Sequence, residues 1–192
     1  PYNKSKTKLI CFYIYYKSVL KTITMGDLKA LNHYNVHDDY YTRKQSWEQI
    51  KHLIPADKQI WEFCLLNSNE QSKKYLQELG FNVVGNRKID FFEHNLGEVL
   101  VSNIPFSTEL KRKMLKRLVE LDKPFIIIMN SMNIFAKYFK EIFEGKELYM
   151  IYPSTKIHYD KYENGKLLES KNNTSFYSVY VTYKVLNKNV WV

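Results

Sequence analysis

Residues 99–107 read Val-Leu-Val-Ser-Asn-Ile-Pro-Phe-Ser. An apolar run leads into an amide side chain, a proline-stiffened turn and an aromatic ring. Asn103 Oδ1 and the Ile104 carbonyl can both accept hydrogen bonds from an NH₂ group. Pro105 biases Ile104 towards an extended backbone, which sets where that carbonyl points. Phe106 can lie against the face of a base, a contact worth about 1–3 kcal/mol. Together they could grip a planar heterocycle bearing an amino group. The same residues also suit a plain strand and proline turn with Phe106 in the core.

Strands and helices must place that turn, and the pattern predicts an alternation of them. Trp47, Ile50, Leu53 and Ile54 recur at helical spacing over 44–54, and Pro55-Ala56-Asp57 ends that helix. There follow strand 59–64, helix 69–79, strand 82–85, strand 98–102, helix 108–121, strand 124–130 and helix 132–143. Short strands separated by helices imply a parallel, doubly wound α/β sheet. In such sheets ligands bind beyond the carboxyl ends of the strands. The 103–106 turn and the loops 63–69 and 85–88 would therefore line one cleft. After Gly145 the pattern changes to antiparallel strands at 147–152, 156–162 and 175–186. Asn164-Gly165 reads as a turn and Lys171-Asn172-Asn173 as a polar loop. Residues 25–192 are expected to form a single domain, preceded by a basic, aromatic extension over 1–24.

Several segments in a fixed order carry a family resemblance. Asn103-Ile104-Pro105-Phe106 resembles the Asn-Pro-Pro-Phe catalytic loop of DNA methyltransferases that modify the exocyclic amine of adenine, with Ile104 where that family usually has its first proline. Asp39-Tyr40-Tyr41-Thr42-Arg43 resembles the family's Phe-Tyr-Thr-Pro motif, with Arg43 in place of the proline. Lys58-Gln59-Ile60-Trp61-Glu62-Phe63 is similar to its first strand, in the Trp-Glu-Pro version. Glu78–Val84 matches the helix end and second strand, and Ile89-Asp90-Phe91-Phe92 resembles the short Asp-Phe-Phe segment before the catalytic strand. Phe176–Val181 looks like the closing strand. The order agrees across 39–130, and the chain looks like small phage and large-DNA-virus proteins of this family.

The resemblance implies a Rossmann-like S-adenosylmethionine-dependent methyltransferase fold, a mostly parallel sheet ending in an antiparallel hairpin. It implies S-adenosyl-L-methionine as cofactor, held by Tyr41, Thr42, Glu62, Phe63, Asn67, Asp90 and Phe91. Asn103, Ile104, Pro105 and Phe106 would be the catalytic loop, and adenine in DNA, rather than RNA, the substrate. Such a base must leave the duplex stack, which costs a few kcal/mol; a single strand, or a protein partner that supplies specificity, would relieve that cost. Methyl-donor sites usually carry a glycine-rich turn after the first strand. Here that place reads Phe63-Cys64-Leu65-Leu66-Asn67-Ser68-Asn69. The second strand leads to Gly85-Asn86-Arg87 where an acidic residue would bind ribose hydroxyls. These departures favour an alternative, a catalytically inactive methyltransferase-fold module that binds nucleic acid or a protein partner.

Composition narrows the field. The 192 residues suffice for one domain with a proper core. Five of the 29 basic residues (Lys4, Lys6, Lys8, Lys17, Lys21) lie in 1–24, leaving 24 basic against 20 acidic residues elsewhere. That balance is compatible with nucleic acid without demanding it. Lys111, Arg112, Lys113, Lys116 and Arg117 crowd one predicted helix, either as a solvated face or as phosphate contacts. Cys11 and Cys64 form no paired motif, which suits reduced thiols and a cytoplasmic setting, in the host or the virion for a viral protein. The five histidines lack metal-ligand spacing, so no metal site is expected. The apolar run 9–16 is too short to span a bilayer, so no membrane association is expected. Ser131 is expected to cap the helix after the fifth strand. Tyr149, Tyr152, Tyr159, Tyr162, Tyr177, Tyr180 and Tyr183 are spaced as strand residues, mostly packing, with one or two on a nucleic-acid surface. Met25 is a candidate start of the native chain, with 1–24 as leader.

Overall fold

The computed structural model describes residues 40–65, 70–163, 166–167 and 175–192. Expectations for 1–39, the Asn67 loop, the Asn164-Gly165 turn and the 171–173 loop lie outside those residues.

Two apolar runs form the centre of the sheet. Val99–Asn103 (β4) and Phe125–Asn130 (β5) pair in parallel, Leu100 opposite Phe125 and Asn103 opposite Ile128. Both faces of these strands are covered, so their sequences are nearly continuous hydrophobic runs rather than alternating ones. Phe125, Ile127 and Met129 of β5 face one core and Ile126 and Ile128 the other. Each fully buried side chain of this kind contributes roughly 1.5–3 kcal/mol.

Ile60–Trp61 (β2) pairs in parallel with both Val83–Val84 (β3) and β4. On the other side of β5, Ser178–Tyr183 (β9) runs antiparallel and is followed in space by Leu148–Tyr152 (β6) and Val190–Trp191 (β10). The seven-stranded order is β10-β6-β9-β5-β4-β2-β3. Only β9 is reversed, so the sheet is mostly parallel, as expected of this α/β class. Sequential connections leave β2 in opposite directions, to β3 and then back to β4, which opens a crevice between β2 and β4 at their carboxyl ends.

The helices cover both faces. Lys44–Glu48 (α1) and Gln71–Glu78 (α2) place Trp47 and Leu76 in the second core. Thr108–Leu121 (α3) and Lys137–Ile142 (α4) contribute Met114, Leu115, Leu118 and Phe139 to the first. The bounds of α3 are those predicted, because its apolar residues recur at helical spacing and Asp122 ends it in the left-handed region at φ 50°.

Several expectations change. The helix expected over 44–54 is the short α1 followed by a 3₁₀ turn, Lys51–Leu53. The helix predicted over 132–143 is a 3₁₀ turn, Ser131–Phe135, followed by α4. Its cap is Asn130 rather than Ser131: Asn130 Oδ1 accepts from the Met132 N–H at 2.9 Å. The closing hairpin is also divided, since only β6 and β9 pair as foreseen. Tyr159–Glu163 (β7) leaves the main sheet and joins Tyr40–Thr42 (β1) and Lys166–Leu167 (β8) in a separate three-stranded sheet. Finally, the two-residue strand β10 escaped detection because Val190-Trp191 is too short for any period.

Candidate active site

The crevice between β2 and β4 holds a carboxylate, a hydroxyl and an amide. Glu62 follows β2 and is 1 % exposed. Its Oε1 accepts from the Ser102 hydroxyl on β4 and from the Cys64 N–H at 3.1 Å. Its Oε2 has no hydrogen-bond partner among the described residues. Burial pushes its carboxyl up to about 7, against the opposing pull of the Ser102 and Ser72 hydroxyls and the Cys64 N–H. Ser72 lies near enough to act on Glu62, yet its Oγ completes no hydrogen bond of regular geometry.

Asn103 ends β4, next to Ser102. Its Oδ1 is likewise buried and has no hydrogen-bond partner among the described residues. A buried acceptor left in that state costs about 1–3 kcal/mol. Ile104 is buried, and its N–H donates to the Ile128 carbonyl at 3.3 Å, so the ladder with β5 continues one residue beyond the strand. Pro105 is buried too. Phe106 is half-buried in an aromatic group, 4.9 Å from Phe176, 5.6 Å from Tyr40 and 5.8 Å from Tyr159 between ring centres. That group draws the small sheet against the 103–106 turn. Tyr41 and Thr42 thus reach the site's neighbourhood, Thr42 buried opposite Tyr159 in the β1–β7 register. Arg43, at the position where the resembled motif has proline, donates to Asp160 at 2.6 Å and ties the same two strands.

Other expected site residues serve the scaffold. Phe63 and Phe91 stack on one another at 4.2 Å, and both are buried in the core with Trp61. Asp90 makes a turn: its Oδ1 accepts from the Phe92 N–H at 2.8 Å and its carbonyl from the His94 N–H at 3.1 Å. Gly85 is required where β3 passes the crevice. Its φ is +113°, and a Cβ there would lie 2.3 Å from the Glu62 carbonyl oxygen.

The cations of α3 do not act as a block. Lys111 departs from the expected outward phosphate contact, being 3 % exposed. Its ammonium donates to the Phe106 carbonyl at 2.9 Å and to Asn133 Oδ1 at 3.1 Å. Asn133 Oδ1 also accepts from the Tyr138 hydroxyl at 2.6 Å. Arg112 is exposed, 4.6 Å above the Tyr138 ring, and Lys116 is exposed, whereas Lys113 is half-buried. Position on the apolar stripe, three residues before Met114, is the signal that could have turned Lys111 inward. Ser102 was visible only as one polar residue in an apolar strand.

No family model matches the chain, and no curated protein matches it. Several solved structures are similar in part, two of them as follows. A proposed RNA methyltransferase from Pyrococcus horikoshii is 15% identical with a TM-score of 0.45, covering 74% of this chain and 81% of that one. A tRNA (m1A58) methyltransferase from Aquifex aeolicus is 15% identical with a TM-score of 0.39, covering 73% and 68%. Among the described residues no group of His, Cys, Asp or Glu could hold a metal ion, and no helix is long and apolar enough to cross a membrane.

Proposed function

We propose that this chain transfers a methyl group from S-adenosylmethionine to the exocyclic amine of adenine in DNA. The observation that carries this reading is the orphan acceptor of Asn103 at the carboxyl end of β4. An adenine amine donating to Asn103 Oδ1 and to the Ile104 carbonyl would satisfy the first and return electron density to the nitrogen that attacks. No side-chain base is needed before attack, because the amine already carries its lone pair. Phe106 would bear on the ring of the base.

The Glu62 carboxylate fits a cationic, hydroxyl-bearing donor: its Oε2 is a buried acceptor with no hydrogen-bond partner among the described residues, at the switch point of the sheet. S-adenosylmethionine supplies an electrophilic methyl group when bound. Glu62 would accept from its ammonium or hydroxyl groups. A cytoplasmic location and a protein partner that supplies sequence specificity belong to the same reading.

The alternative, an inactive module of this fold, is favoured by one observation. Phe63 and Phe91 are spent on each other, leaving their rings little surface for a donor. Isothermal titration separates the two. Binding of S-adenosylmethionine or S-adenosylhomocysteine in the micromolar range is expected, and binding of neither at high micromolar concentration overturns the enzyme. Asn103→Ala should then abolish methylation of adenine-containing DNA while donor binding persists.

A further inference from the structure

Among the described residues four large apolar side chains are exposed: Met132 (69 %), Phe135 (82 %), Tyr177 (67 %) and Trp191 (77 %). Single exposed apolar groups are ordinary on a protein surface, whereas several gathered along one edge mark a contact surface. All four lie at one end of the main sheet. Met132 and Phe135 sit in the 3₁₀ turn after β5, where residues three apart are eclipsed and so share a side. Tyr177 enters β9, which is antiparallel, and its carbonyl accepts from the Ser131 N–H at 2.9 Å. Trp191 ends β10, with its ring 4.8 Å from that of Tyr152 at the end of β6. Each strand end therefore continues the row that Asn103 begins at the end of β4.

Among the described residues the row carries lysines and no acidic side chain. Residues 103–108, 130–137, 152–158, 175–178 and 190–192 include Lys137, Lys156 and His158, and contain no Asp or Glu. Lys156 Nζ lies 4.9 Å above the Tyr177 ring. Among the described residues Lys137 pairs with Glu141, at 3.6 Å, and both side chains are open to water, where such a pair is worth little. A surface docking an acidic or purely apolar protein face would not need rings and cations interleaved in this way. Base faces and phosphates do.

We propose that this rim is a stacking track for single-stranded DNA, running from Trp191 through Tyr177, Phe135 and Met132 to the amide of Asn103. The choice of DNA rests on the proposed methyl transfer; the stacking itself does not. Four strand spacings separate β4 from β10, roughly 19 Å, which suits a single-strand site of about four nucleotides or slightly more. A strand laid across the rim delivers an unstacked base to the 103–106 turn, so no duplex need be opened by this chain. The track also explains how a phosphate contact can be made although Lys111 is buried.

The test is fluorescence anisotropy of a labelled adenine-containing 12-mer, offered as single-stranded DNA, as duplex and as RNA of the same sequence. Single-stranded DNA should bind about tenfold more tightly than duplex. Phe135→Ala, Tyr177→Ala and Trp191→Ala should each weaken it by roughly fivefold or more, and Lys156→Gln should lower the salt slope by about one. Phe135 is so exposed that Phe135→Ala must keep the wild-type melting temperature, which guards against misfolding as the cause. Wild-type affinity in Phe135→Ala and Tyr177→Ala, tighter binding of duplex, or binding of RNA without DNA overturns the track. Loss of strand binding in these variants, with no donor bound by the wild type, upholds the track and removes the enzyme. Methylation with unaltered strand binding does the reverse.

Discussion

Burial between β2 and β4 pushes the Glu62 carboxyl up to about 7, against three hydrogen-bond donors and, among the described residues, no cation. The sign of its effect on stability follows. The unfolded chain ionises near 4.5, below the folded value, so the folded state holds the extra proton between those two points. The stabilisation is complete below pH 4.5 and is lost as pH rises through 7, a change on the order of 3 kcal/mol. Glu62→Gln keeps an acceptor for Ser102 and Cys64 and removes the charge. Its melting temperature should exceed that of the wild type at pH 8 and vary little from pH 5 to pH 8. Equal pH profiles for the two proteins in thermal denaturation would contradict this. The same substitution should weaken S-adenosylmethionine in titration if Glu62 holds the donor. Asn103 makes the parallel case with an amide, where the penalty is an unpaired acceptor rather than a charge.

At the scale of elements, α3 is more than cover for the sheet. Lys111 reaches back from its first turn to the Phe106 carbonyl and across to Asn133 in the 3₁₀ turn after β5. One ammonium thus fastens the turns following two adjacent strands. Lys111→Met keeps the stem but leaves the Phe106 carbonyl short of a donor, at a cost of about 1–3 kcal/mol. Urea denaturation should show that loss, while donor titration stays at the wild-type affinity because Glu62 is untouched. A variant as stable as the wild type would refute the fastening role. Legibility in the sequence followed the same division. The helix 108–121 and the strands around 99–103 and 125–130 were readable because each carries a long, regular apolar pattern. The break at Ala136 was not, since Ile134, Tyr138 and Phe139 suit a continuous helix and only the local cap at Asn130 starts a tighter turn. Nor could the pattern show that β7 pairs with β1, because pairing depends on aromatic contacts among Tyr40, Phe106, Tyr159 and Phe176 that lie far apart along the chain. The candidate site was legible in its position and its Asn103. Its supports, Ser102 and Lys111, were hidden because burial reverses what a hydroxyl and an ammonium ordinarily do.

Over the whole molecule, the two ends of the sheet titrate in opposite senses. The carboxyl ends carry Glu62, protonated well above the usual carboxylate range. At the amino end of β5, Asp122 gathers Lys184 at 2.6 Å, the Tyr183 hydroxyl at 2.7 Å and Lys146 at 2.9 Å, joining the end of α3 to β9 and to the start of β6. The Lys184 and Lys146 ammonium groups, with the Tyr183 hydroxyl, hold its carboxyl well below its ordinary value of 3.8. A depressed carboxylate contributes stability above 3.8 that is lost as pH falls towards the folded value, the reverse of Glu62. Asp122→Asn isolates the acid limb. Asparagine tolerates the left-handed backbone at this position and can still accept from Tyr183, but it gives up both lysines. Because Asp122 is open to water, the loss at pH 6 should be small, as exposed pairs are weak. The decline of urea stability between pH 5 and pH 2.5 should be shallower in Asp122→Asn than in the wild type, and an equally steep decline would show that the Asp122 cluster does not govern acid stability. In the double variant with Glu62→Gln the two pH effects should add, since the sites lie at opposite ends of the strands and share no partner among the described residues.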